Sequence, residues 1–175
     1  METLAIFDRE NYEKSLPRTI RHSSRAIIFR NNKIALIYEE KYNMYVFPGG
    51  SIDPNETMIE AVIRETKEET GLIIIPNTIQ EFGKVIEIRK DIYINGIYEQ
   101  HDFYYTCDIE DKIMEQKLSA TEKEIGYKLK FVTIEEAILL NEIEIQSGKK
   151  FSERETFILK YIKGNGIKNN DNIEK

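Results

Sequence analysis

The sequence predicts an α/β fold in which a mixed central sheet lies between helices. Short β-rich runs alternate with amphipathic helical stretches along the chain. A helix over residues 57–70 has strands on both sides of it, and further helices follow, an order that packs helices onto a sheet rather than onto one another. A length of 175 residues suits one domain with a full hydrophobic core.

Taken in order, the first 20 residues carry no clear pattern; a wrap around the domain and a homodimer contact are both compatible with them. Residues 24–29 (SRAIIF) and 34–38 (IALIY) are two β-rich runs joined by the polar turn 30–33, which predicts a hairpin. In the helix over 57–70, Pro54 and Asn55 form the preceding turn, and Gly71 stands where a left-handed cap ends it. At about 100° per residue, Ile59, Val62, Ile63, Thr66 and Thr70 form the core side. Residues 84–94 lead into Asn95-Gly96, a strong hairpin signal, and residues 97–108 return as a strand. A strand over 128–132 precedes a helix over 134–141, with Thr133 as N-cap and Glu136 completing a capping box. Ser152 and Glu155 repeat that pattern at a last helix over 152–162. The polar, glycine-rich stretch 164–175 is expected to fray as a tail, leaving residues 21–163 as the domain.

Composition narrows the function classes. A net charge of −6, without a basic stripe, argues against nonspecific nucleic-acid binding. No run of about 18 apolar residues exists and the first 30 residues lack the apolar stretch of a signal peptide, so a soluble, cytoplasmic protein without a membrane partner is expected. The single cysteine, Cys107, lies in the apolar run FYYTCDI and reads as a buried hydrophobe rather than a nucleophile.

Glu65, Glu68 and Glu69 project together from an arc beside the core side of the central helix. Each like-charge pair at this spacing costs about 0.2–0.5 kcal/mol, and a divalent cation reverses the sign. Hard oxygen ligands on one face, with room for water and phosphate oxygens, suit magnesium. An acidic face alone is usually just solvated. Here it belongs to a set of seven residues at fixed spacing: Gly50, Glu56, Arg64, Glu65, Glu68, Glu69 and Gly71. Background frequencies would match all seven in roughly one chain of this length in 100,000.

That run, GSIDPNETMIEAVIRETKEETGL, resembles the signature of the Nudix hydrolases, and Phe47-Pro48-Gly49-Gly50 resembles the family's usual approach to it. Thr66 stands at an aliphatic position of the signature, and Asp53 and Asn55 replace a common glutamate and glycine; every charged position is kept. The resemblance implies an α/β/α sandwich and hydrolysis of a phosphoanhydride bond in a nucleoside diphosphate linked to a moiety X. It implies Mg2+, with Mn2+ as a substitute, held by Glu65, Glu68, Glu69 and the Gly49 carbonyl. Glu56 would orient water or a neighbouring carboxylate, and Arg64 would hold Glu56. The general base would be Glu68 or an acid of the later loop 116–126, where Glu124 is preferred over Glu122. Arg25, Tyr45, Phe47 and Phe103 are the candidate substrate contacts, with core packing as the alternative for the aromatics; His101 and Asp102 could also touch substrate, and for these two and Arg25 a structural role is the alternative. Marks of ADP-ribose, coenzyme A and dinucleoside polyphosphate hydrolases are not found, which leaves a MutT-like nucleoside triphosphate pyrophosphatase as the default. Hydrolysis of ADP-ribose, a nucleotide sugar or a dinucleoside polyphosphate, a non-catalytic nucleotide sensor, and an isomerase acting on a diphosphate stay open.

Overall fold

The computed structural model describes residues 1–148 and 152–167. In chain order its elements are β1 (Thr3–Asp8), β2 (Arg18–Ile27), β3 (Phe29–Arg30), β4 (Lys33–Glu39), β5 (Met44–Val46), β6 (Gly49–Ser51), α1 (Met58–Thr70), β7 (Leu72–Ile74), β8 (Gln80–Lys90), β9 (Ile97–Thr106), β10 (Ile109–Ile113), α2 (Ala120–Ile125), β11 (Tyr127–Val132), α3 (Ile134–Gln146) and α4 (Glu153–Gly164). A five-stranded mixed sheet has the order β1-β8-β9-β2-β6, with β1 parallel to β8 and β9 parallel to β2. A second, antiparallel sheet has the order β11-β4-β3, with β5 paired to β4.

Strand alternation sends successive residues of β2 to opposite layers. Ala26 and Ile28 join Val62 of α1, Phe103 and Tyr105 in one core, while Ile27 joins Tyr104, Ala137 of α3 and Ile158, Leu159 and Ile162 of α4 in the other. The mixed sheet therefore lies between α1 on one side and α3 and α4 on the other, as the expected sandwich requires. Cys107 is buried in the α1-side core, and that burial pushes its thiol up to about 12, an inert rather than a nucleophilic sulfur.

Several elements depart from the sequence reading. Residues 1–20 are built into the sheet: β1 adds an edge strand beside β8, and β2 already begins at Arg18. The first hairpin is real but shorter, because Phe29 and Arg30 pair with β4 across Asn31 and Asn32, both left-handed, whereas residues 24–27 stay with β9 in the other sheet. In the second hairpin the last pair is Lys90 with Ile97, so the turn spans residues 91–96 instead of Asn95-Gly96 alone. The reason is local: Asp91 Oδ1 accepts from the backbone N–H of Tyr93 (2.8 Å) and Ile94 (3.3 Å) and builds its own turn. The tail beyond Ile167 lies outside the described residues.

Capping explains where the helices start. Thr57 and Glu60 form a capping box on α1, and Gly71 ends it at φ 75°. Thr133 and Glu136 form the expected box on α3. Replacing Thr133 by alanine is expected to cost about 1 kcal/mol, read as a melting point lower by roughly 2–4 °C. A third box, Ser119 with Glu122, caps α2, so the expected loop 116–126 contains a short helix. Ser152 makes no side-chain cap at α4, because Glu155 is drawn inward instead. Among the described residues no helix is long and apolar enough to cross a membrane.

Candidate functional site

The site is built around the chain from Phe47 to Ser51, whose backbone is held by the pairing of β6 with β2 and by side chains of distant residues. Phe47 N donates to Glu155 Oε2 of α4 at 3.0 Å, and Pro48 O accepts from Ala26 N at 2.8 Å. Gly49 N donates to Glu69 Oε2 of α1 at 2.7 Å. Arg25 Nη1 donates to both Phe47 O (3.1 Å) and Gly49 O (2.8 Å). Only glycine fits at position 49: φ is +134°, and a side chain would strike the Ser24 carbonyl. At Gly50 a Cβ would lie 2.6 Å from the Glu65 carboxyl carbon, so the loop presses bare backbone against the acids of α1.

Arg64 gathers those acids. Its Nε and Nη2 hold Glu56 in a two-pronged pair at 2.7 and 2.8 Å, Nη1 meets Glu65 at 2.8 Å and Glu68 at 3.3 Å, and Nη2 also donates to Ser51 O at 3.1 Å. That pair lowers the Glu56 carboxyl pKa and raises the Arg64 guanidinium pKa. Glu69 is only 4% exposed, because it falls inside the buried arc of α1 with Ala61, Val62, Thr66 and Thr70. Burial raises the Glu65 pKa and raises that of Glu69 further. Ile59, expected on the core side, is 46% exposed in the first turn, so depth along the helix decides burial as well as azimuth.

Behind the loop lies a buried ionic network absent from the sequence reading. Asp102, fully buried, accepts from Arg25 Nε (3.4 Å), from Gln100 Nε2 (2.8 Å) and from Arg154, which also reaches Glu87 at 3.2 Å. Burial acts against the Arg25 charge, but Asp102 and Glu155 outweigh it and raise its pKa.

Of the expected site residues, the fold brings together Gly49, Glu56, Arg64, Glu65, Glu68 and Glu69. It does not bring in five others. Arg25 is no surface phosphate contact: its guanidinium is buried and committed to the loop and to Asp102. Phe47 is fully buried, edge-to-face on Tyr104, and Phe103, 9% exposed, packs in the α1-side core; both are packing residues. Tyr45 lies against Tyr38 and the α4-side core. Glu124 turns out to solvent and pairs with Lys41 at 2.6 Å, which lowers its carboxyl pKa. Glu122 is engaged in the α2 capping box, where its Oε2 accepts from Ser119 N at 2.7 Å. His101 pairs with Glu99 at 2.6 Å.

A family model for the NUDIX domain matches residues 20–154, most of the chain. The chain belongs to the Nudix family. Its curated relatives include a protein from Methanocaldococcus jannaschii named ADP-ribose pyrophosphatase, 51% identical over 51 residues (27% of this chain, 30% of the relative). Another, from Bacillus subtilis, is named putative 8-oxo-dGTP diphosphatase and is 36% identical over 78 residues (41% and 49%). The chain spans less than half the length of these relatives. Among solved structures, the MutT protein from Bacillus halodurans superposes with a TM-score of 0.54 at 21% identity, covering 69% of this chain and 72% of that one. A NUDIX hydrolase from Nitrosomonas europaea gives 0.54 at 18% identity, covering 78% and 91%. These two establish the shared fold.

The Nudix acids suit a hard divalent cation by their chemistry: carboxylate oxygens of Glu65 and Glu69 face a glycine backbone that leaves no side chain between, and Glu68 stands beside them in the last turn of α1. Among the described residues no three acids, histidines or cysteines converge as a ready metal cage. Arg64 instead balances Glu56, Glu65 and Glu68. Two open cavities flank Arg64 in this Nudix domain, one of about 450 Å³ beside Pro54, Asn55 and Glu60, the other of about 520 Å³ beside Lys67, Glu68 and Lys117. A third, of about 500 Å³ beside Phe29, Phe82 and Cys107, touches none of the acids and takes no part.

Proposed function

We propose that the chain hydrolyses a phosphoanhydride bond of a nucleoside diphosphate derivative with the help of Mg2+, for which Mn2+ can substitute. The observation that carries this reading is the packing of Glu65 and Glu69, both desolvated, against the side-chain-free backbone of Gly49 and Gly50. Glu65, Glu68, Glu69 and the Gly49 carbonyl would hold the cation. When bound, it supplies charge neutralisation at the diphosphate and lowers the pKa of the attacking water.

The protein's own residues do the rest. Arg64 fixes Glu56 with two hydrogen bonds and leaves its remaining charge for the neighbouring acids. Arg25 and Glu155 hold the loop so that Gly49 keeps one orientation toward α1. A carboxylate must take the proton of the water that attacks phosphorus, and the products are a nucleoside monophosphate and phosphorylated X, or pyrophosphate from a triphosphate. We assign that role to Glu68, a half-exposed acid of α1 that Arg64 reaches at 3.3 Å, in place of Glu124, which pairs with Lys41. Glu68→Gln is expected to lower kcat at least about 100-fold and Glu124→Gln to change it less than about twofold. Full activity in Glu68→Gln would move the base to the later loop, residues 116–126.

A nucleoside triphosphate is the default substrate. ADP-ribose is the second reading, favoured by the stretch 51% identical to a protein named ADP-ribose pyrophosphatase. Incubation with Mg2+ and a panel of triphosphates, ADP-ribose, nucleotide sugars and dinucleoside polyphosphates, with products resolved by phosphorus NMR, tests the reading. Magnesium-dependent release of a nucleoside monophosphate supports it. No turnover of any member at high enzyme concentration would favour a nucleotide sensor.

A further inference from the structure

The chain has eight arginines, and six of them, Arg9, Arg18, Arg25, Arg30, Arg64 and Arg154, are paired with carboxylates. Among the described residues Arg21 and Arg89 have no carboxylate partner, although acids outnumber Lys and Arg by 31 to 25. These two stand together. Arg21 on β2 reaches the hydroxyl of Tyr98 at 3.5 Å, and the Arg89 guanidinium on β8 lies 4.3 Å from the centre of the same ring. Tyr98 OH in turn donates to Gln100 Oε1 at 2.8 Å, and Gln100, 5% exposed, is fixed by Asp102. Tyr98 is therefore held from below, with one guanidinium at its hydroxyl and one over its face.

This cationic pair, on the α3–α4 face of the sheet, meets the edge strand of the site at Ser51. Arg21 Nε donates to Ser51 Oγ at 2.8 Å, while Ser51 O accepts from Arg64 on α1 at 3.1 Å. Ser51 is two residues, about 7 Å of extended chain, from Gly49. Two guanidiniums around one ring repel each other, and a bound anion reverses that sign. Their planar forks match phosphate oxygens.

We propose that Arg21 and Arg89, supported by Tyr98 and Gln100, bind a phosphate of the substrate that lies beyond the cleaved diphosphate. This rests on the hydrolase reading above and sharpens it: the preferred substrates carry a further phosphate, as a nucleoside triphosphate does, and those ending in an uncharged sugar, as ADP-ribose does, lack a partner for the pair.

The test compares KM for a nucleoside triphosphate and for ADP-ribose in the full chain and in Arg21→Gln and Arg89→Gln. The ratio of the two KM values is expected to rise at least about tenfold in each variant, with partial recovery in Arg21→Lys. An unchanged ratio overturns the subsite while leaving the hydrolase reading intact. If the wild-type protein turns over neither compound, the hydrolase reading fails instead. Calorimetric binding of a nonhydrolysable triphosphate and of the corresponding diphosphate then decides the subsite. Loss of the triphosphate's advantage in both variants supports it, and equal binding of the two nucleotides by the wild type overturns it.

Discussion

Glu69→Gln is expected to lower the rate of phosphoanhydride hydrolysis at least about 100-fold while the protein stays folded. The amide keeps an oxygen that can accept from Gly49 N, so the 2.7 Å contact that joins α1 to the loop survives. It loses the negative charge, in a position where burial already raises the carboxyl pKa and where only a strong positive partner makes the charged form worth keeping. Initial rates at saturating Mg2+, with a thermal melt recorded on the same sample, check both halves. A rate equal to wild type would remove Glu69 from the chemistry.

Asp102→Ala is expected to be the most damaging single change to stability. The fully buried carboxylate faces Arg25 and Arg154, 14% and 10% exposed, and among the described residues its removal leaves Arg154 only Glu87 and leaves Arg25 without a directly bonded carboxylate. Breaking a buried pair by deleting one partner costs about 3–5 kcal/mol, or roughly 6–20 °C in melting temperature for a chain of this size. The damage also reaches the site, because Arg25 is the donor that holds Phe47 O and Gly49 O. Urea unfolding measures the cost, and a loss under about 1 kcal/mol would mean that the network contributes little.

The parts of the molecule that could be read from sequence are those whose cause is local. The start of α1 near Thr57, its Gly71 cap and the Thr133–Glu136 box of α3 each depend on residues within a few positions of one another. The acids of the Nudix helix likewise sit where helical spacing puts them, although Glu69 proved to lie inside the core arc rather than beside it. Contacts between distant residues were not legible. Glu155 has the spacing of a capping residue, yet it serves Phe47 N, 108 positions away, and no local pattern distinguishes the two uses. Arg25 looks like a phosphate contact until β2 is paired with β6 and β9, which turns it inward to Asp102. Glu122 and Glu124 differ by two positions on one short helix, and only the fold reveals that Lys41 takes Glu124. The strand switch at Ile28, where one run serves two sheets, is set by burial on both faces and leaves no turn signal.

The most direct test of the central claim is a crystal structure of the protein with Mg2+ and a nonhydrolysable nucleoside triphosphate. The account predicts a cation held by Glu65, Glu69 and the Gly49 carbonyl and touching the diphosphate, with Arg64 keeping Glu56 and giving up Glu65. A nucleotide bound with its phosphates away from α1, or a cation that leaves Glu65 and Glu69 untouched, would contradict it.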